Sequence, residues 1–87
     1  MPYDVAWSPE AESDLARIWL AEKDRDSVTR ASHRIDVALQ SGPLPGHLQS
    51  EGLYRICDAP LVAYYEIAQH MRKIKVTNVL AYRPPSS

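Results

Sequence analysis

The chain has 87 residues, 45% of them hydrophobic, a net charge of −1 and a pI of about 6.3. That hydrophobic share excludes wholesale disorder, and the near-neutral balance excludes a dedicated, uniformly basic nucleic-acid binder, so any nucleic-acid contact has to come from a local patch. The longest apolar stretch, Leu61 to Tyr65, falls far short of the roughly 20 residues that span a bilayer, and a single cysteine, Cys57, cannot staple a secreted fold.

The chain predicts one domain over residues 1–87, with a thin stability margin because a domain of this size buries only about 60–65% of its unfolded surface. Asp4 and Glu10 near the start, in place of a basic region and an apolar run, predict no signal peptide. Together with the lone cysteine this points to the cytoplasm, with no membrane partner.

Tyr3, Val5 and Trp7 alternate with Pro2, Asp4 and Ala6, the pattern of a short strand with one apolar face. Ser8-Pro9-Glu10 then opens a helix: Ser8 caps the free amides, Pro9 suits the first turn, and Glu10 and Glu12 favour the positive end of the helix dipole. That makes Ser8 a cap and not a nucleophile. Ala11, Leu15, Ile18 and Trp19 recur at helical spacing as a core stripe. Leu20 falls off the stripe with Ala16, either as a stray exposed leucine or as a second apolar face for a partner.

Lys23 to Asp26 is a polar turn. A second helix carries Val28, Ala31, Ile35, Ala38 and Leu39 on one face, turns Arg30, His33 and Arg34 away, and stops at Ser41-Gly42-Pro43. The two helices form a hairpin. A Gly/Pro-rich loop is expected from Gly42 to Gly52. Three strands follow, Leu53–Cys57, Leu61–Ala68 and Lys73–Arg83, in an antiparallel meander, before the tail Pro84-Pro85-Ser86-Ser87. The expected architecture is α+β: a two-layer sandwich with an antiparallel four-stranded sheet packed on an N-terminal helical hairpin, in the order β-α-α-β-β-β.

Period-2 alternation sorts the strand residues between a covered and an open face. Tyr54, Ile56, Leu61, Ala63, Tyr65, Ile67, Ile74, Val76 and Leu80 fall on the covered side. Arg55, Val62, Tyr64, Glu66, Lys73, Lys75, Thr77 and Arg83 fall on the open side, unless a bulge reverses the last assignments. The open face collects cations suited to phosphate, although Lys and Glu ladders are also ordinary on solvated sheets. A cysteine on a strand is more often packing than catalysis. His47 and His70 lack Cys or His neighbours at metal-ligand spacing, and no glycine-rich phosphate loop is present. No metal site and no cofactor are predicted.

Val5-Ala6-Trp7-Ser8-Pro9-Glu10-Ala11, with Asp14-Leu15 and Ile18 after it, resembles the opening of RelE/ParE superfamily toxins. So do Pro45-Gly46 followed by Gly52-Leu53-Tyr54-Arg55-Ile56, the stretch Ala63-Tyr64-Tyr65-Glu66-Ile67, and the last strand from Ile74 to Arg83. The similarity covers nearly the whole chain in the same element order. It implies the toxin half of a type II toxin–antitoxin pair, held by a cognate antitoxin. RelE-like members cleave mRNA on the ribosome without metal, by acid–base and electrostatic catalysis; ParE-like members inhibit DNA gyrase by binding.

The resemblance assigns candidate catalytic roles to Arg55, Tyr82 and Arg83 if the chain is a nuclease; the open-face cations Arg55, Lys73, Lys75 and Arg83 are the candidates for nucleic-acid binding. Val62 stands where the nucleases usually carry an arginine, and the histidine near the family's C-terminal end is missing. The expectation is therefore a ParE-like, gyrase-directed or other non-nuclease toxin. The alternatives are a ribosome-dependent mRNA endonuclease and a non-toxic binding module. Ala16 and Leu20 are the expected antitoxin contacts.

Overall fold

The computed structural model describes residues 2–42, 47–50 and 52–82. In chain order these form β1 (Asp4–Trp7), α1 (Pro9–Ala21), α2 (Arg25–Gln40), β2 (His47–Ser50), β3 (Leu53–Asp58), β4 (Leu61–Ala68), a 3-10 turn (Gln69–Met71) and β5 (Lys73–Ala81). Ser8 caps α1 as its sequence predicts. Its buried hydroxyl accepts from the Ala11 amide at 3.0 Å and donates to the Thr77 carbonyl at 3.0 Å, so the cap also joins the helix to the last strand. Asp24 caps α2, accepting from the Ser27 amide at 3.2 Å.

One sheet runs in the order β1-β5-β4-β3-β2. Neighbours from β2 to β5 are antiparallel, while β1 lies parallel to β5. The α+β class and the helical hairpin follow the sequence, but the sheet is mixed and carries a fifth strand inside the expected Gly42–Gly52 loop. These two differences have one cause. Residues 47–50 show no apolar alternation and become a strand by backbone pairing with β3 alone, around a turn at Gly52 (φ 79°). Each hairpin reverses the chain, so one extra strand flips the sense of β5 relative to β1.

The helices bury their apolar stripes on one face of this sheet. Val28, Ala31, Ile35 and Leu39 of α2 and Ala11 of α1 meet Ile56, Leu61, Ala63, Tyr65, Ile74, Val76 and Val79, all sealed from solvent. Each large member contributes roughly 1.5–3 kcal/mol by leaving water. The Tyr65 ring stacks on Tyr54 with centroids 5.6 Å apart. Half-buried Trp7 donates its indole N–H to Asp36 at 3.0 Å, and Asp36 also accepts from Gln40 at 2.9 Å, which ties β1 to α2. A forked contact from Arg34 to Asp58, at 3.0 and 2.8 Å, ties α2 to β3.

Three side chains depart from the expected faces. Trp19 is 39% exposed; at about 100° per residue it sits roughly 80° round the helix from buried Ala11, outside the stripe. Its ring is covered instead by the Arg25 guanidinium, 4.7 Å from the centroid. Leu80 is 53% exposed while Val79 is 1% exposed. The strand register explains the exchange: Tyr65 pairs with Val76 but Tyr64 pairs with Asn78, leaving Thr77 as an extra residue on β5. A bulge of one residue swaps the faces of everything beyond it. Cys57 is exposed on the open face and does not pack in the core, because it follows core residue Ile56 in a strand of period 2.

Candidate functional site

The open face of the sheet reads as successive rows of directly opposed residues. Cys57, Val62 and Leu80 form one row; Arg55, Tyr64 and Asn78 the next; then Leu53, Glu66, Lys75 and Ala6; then Ala68, Lys73 and Asp4. Arg55 therefore sits beside Tyr64 in mid-sheet. Its Nε is buried and has no hydrogen-bond partner among the described residues, an unmet donor on a half-buried side chain.

The other candidate cations are not gathered around it. Lys75 stands opposite Glu66, and Lys73 opposite Asp4, so each lysine has a carboxylate across the ladder. Lys75 lies two residues along the strand from the Arg55 row and Lys73 four, or roughly 7 and 13 Å at about 3.3 Å per residue. Tyr82 is half-buried and is pinned at the opposite end, its amide donating to the Pro60 carbonyl at 2.7 Å. Pro60 is four residues beyond Tyr64, again about 13 Å. Arg83 lies outside the described residues. Val62, where the nucleases carry a cation, is only 7% exposed, although it lies outside the helix-side core cluster.

Concave surfaces lie on both sides of the sheet. A groove of about 710 Å³ over β1, β5 and β4 is lined by residues that include Ala6, Ala68, Met71, Glu66, Lys73 and Lys75. Sequence reasoning misses this groove, because only the parallel placement of β1 beside β5 brings Ala6 next to Lys75. On the helix side, a cleft of about 310 Å³ runs between α1 and α2, lined by Leu15, Ala16, Trp19, Val28, Thr29 and Ser32. Ala16 is on its wall. Leu20 is not among its lining residues and is 64% exposed at the tip of the hairpin.

Among the described residues no group of His, Cys, Asp and Glu is arranged to hold a metal ion, and no described helix is long and apolar enough to cross a membrane. Asp14 accepts from the Val79 amide at 3.1 Å. That hydrogen bond, helped by Arg17 and Asn78 against the opposing effect of burial, holds its carboxyl below the ordinary value.

A mixed sheet with a helical hairpin on one face is the fold of the toxins in several solved toxin–antitoxin systems. The toxin–antitoxin complex RelBE2 from Mycobacterium tuberculosis aligns with a TM-score of 0.76 at 19% identity, over 93% of this chain and 92% of that one. The chromosomal ParDE system from P. aeruginosa gives 0.69 at 13% identity, over 93% and 97%, and the RelE–RelB complex from Pyrococcus horikoshii OT3 gives 0.69 at 17%, over 93% and 96%. At these identities the likeness is one of fold. No curated protein matches the chain. The family profile of the ParE toxin of type II toxin–antitoxin systems, parDE, matches residues 5–83. The chain belongs to this family, within the RelE/ParE superfamily, and is a type II toxin.

Proposed function

We propose that this toxin acts in the cytoplasm by binding DNA gyrase, not by cutting mRNA, and that a cognate antitoxin holds it inactive. The observation that carries the reading is the spread of the candidate nuclease side chains. Phosphoryl transfer from a ribose hydroxyl needs cations and a proton donor converging within a few ångströms of one phosphorus. Here the described catalytic candidates, Arg55 and Tyr82, stand about four residues of strand apart, roughly 13 Å, and both open-face lysines stand opposite carboxylates in the ladder. Membership in the ParE family points the same way. Arg55, Lys73 and Lys75 on the open face then serve binding, to the target or to its nucleic acid, and not bond cleavage.

The solved relatives are toxin–antitoxin complexes, and the cleft between α1 and α2 offers an apolar slot for a partner helix. Ala16 lines that slot, and Leu20 extends the apolar surface at the hairpin tip.

The test is a gyrase supercoiling assay beside an mRNA cleavage assay on translating ribosomes, with one preparation of folded toxin. Supercoiling inhibition with intact mRNA, relieved by the product of the neighbouring small gene, is the expected result. Ribosome-dependent cuts that fall by about 10²–10³ in Arg55→Ala would overturn it in favour of the nuclease. Silence in both assays, with normal folding and normal growth on expression, would leave a non-toxic binding module. For the antitoxin, equal capture by wild type and Leu20→Glu removes Leu20 from the interface.

A further inference from the structure

The last strand changes partner halfway along. Up to Val76, β5 lies between β1 and β4; Trp7 pairs with Val76 and there β1 ends. From Thr77 onward the side of β5 that β1 had occupied is an open backbone edge, and such an edge needs cover or it slips. Helix α1 supplies the cover. The Ser8 amide donates to the Val76 carbonyl at 2.9 Å, the Ser8 hydroxyl to the Thr77 carbonyl at 3.0 Å, and the Val79 amide to Asp14 Oδ2 at 3.1 Å. On the β4 side the Thr77 hydroxyl donates to the Tyr64 carbonyl at 3.3 Å. These contacts bracket the bulge at Thr77.

We infer that Asp14 is a positioning residue for the second half of β5: by holding the Val79 amide beyond the bulge, it turns Val79 to the core and Leu80 to the face that carries Arg55. Strict alternation from Ile74 and Val76 would bury Leu80 but would also drive the Asn78 amide into the core and expose Val79, which disfavours the unbulged register. The bulge that avoids this leaves the Val79 amide on the open edge of β5, where a polar contact has to hold it. Asp14 is placed to do so because it lies about 60° from Ala11 on the side of the α1 stripe opposite Trp19. Its second oxygen accepts from Arg17 Nη2 at 3.0 Å, and its side chain is only 16% exposed, so the carboxylate is held charged and oriented toward the strand. The consequence for function is local. The bulge places Leu80 in a row with Val62 and Cys57, beside the Arg55–Tyr64 row, and sets where the chain leaves the sheet at Tyr82. This role is independent of which target the toxin binds.

The test uses the folded toxin in a Cys57→Ser background. Thiol labelling should be fast in Leu80→Cys and protected in Val79→Cys, and Asp14→Ala should collapse that contrast. In the same Asp14→Ala chain without added cysteines, the Val79 amide should exchange with solvent about 10- to 100-fold faster, the size expected when a hydrogen bond to a charged acceptor is lost. An Asp14→Ala protein that keeps the labelling contrast would overturn the assignment whatever its Val79 exchange rate, because exchange reports the lost hydrogen bond and labelling reports the register. If Asp14→Ala does not fold, Asp14→Asn carries the test, because it keeps an acceptor oxygen and loses the charge. A reduced labelling contrast with faster Val79 exchange supports the role, and an unchanged contrast overturns it. Labelling follows the strand register directly, whether toxicity is kept or lost.

Discussion

On the helix side of β4, Leu61, Ala63 and Tyr65 are sealed against α2 and the neighbouring strands. On the other side of the same strand Tyr64 is half-buried and Glu66 is exposed. One strand thus serves two environments, and the difference shows what each face depends on. The helix side is held by shape and by removal of apolar area from water, so its residues are interchangeable only with groups of equal volume. The open side is mixed: Val62 is buried there at one end, Arg55 has a buried Nε with no partner among the described residues, and the lysines stand opposite carboxylates toward the other end. A surface built that way is free to be specified by what it binds.

The sharpest way to break this contrast is to cut into the sealed side. Tyr65→Ala removes a fully buried ring stacked on Tyr54 and should cost about 3–5 kcal/mol, a large share of what so small a domain possesses. Urea titration measures it, and a loss under about 1 kcal/mol would mean the core is misplaced. Leu15, half-buried against the same core, should lose less on truncation to alanine, at the lower end of the roughly 2–5 kcal/mol range.

Asp36→Ala comes next. It leaves the Trp7 indole N–H and the Gln40 amide without their acceptor and should cost about 1–3 kcal/mol. Trp7 fluorescence should change with it, whereas Trp19, remote from Asp36 and covered by Arg25, should keep its environment.

A third test is pH. Asp14 has its folded-state carboxyl lowered from the ordinary 3.8, first by the Val79 hydrogen bond and then by Arg17 and Asn78. A depressed carboxyl contributes stability that is fully present above the unfolded value and is lost as pH falls through the folded value. The acid-unfolding limb below about pH 4 should therefore be shallower in Asp14→Asn than in wild type, with the two curves parallel above about pH 5.

The smallest effects belong to the open face. Lys73→Ala and Lys75→Ala each remove one cation opposite one carboxylate and should shift stability by no more than about 1 kcal/mol. Gyrase inhibition should decline in graded steps, with no abrupt loss. Abolition by either single substitution, with folding intact, would mark a lysine as catalytic or as a dominant anchor and would break the division drawn between the two faces.

How much of this is legible before the chain folds depends on the range of the interaction. The cap at Ser8, the stripe of Val28, Ala31, Ile35 and Leu39, the helical hairpin and the three long strands are written in nearest-neighbour chemistry and periodicity, and the sequence suffices for them. So are the face of Arg55 and the resemblance that the family match bears out. Strand β2 is not written there, because residues 47–50 pair through backbone groups that every sequence has. Missing it inverts the sense of β5 relative to β1, and with it goes the groove where Ala6 meets Lys75. Nor is the exchange of Val79 for Leu80 legible, since the bulge at Thr77 is held by Ser8 and Asp14, more than sixty residues away along the chain. Alternation fixes which residues share a face only until a contact across the fold adds one residue to the count. Alternation along the strands names Arg55 and Lys73 as open-face cations and the family resemblance adds Tyr82, but only the register of the sheet decides that they stand apart.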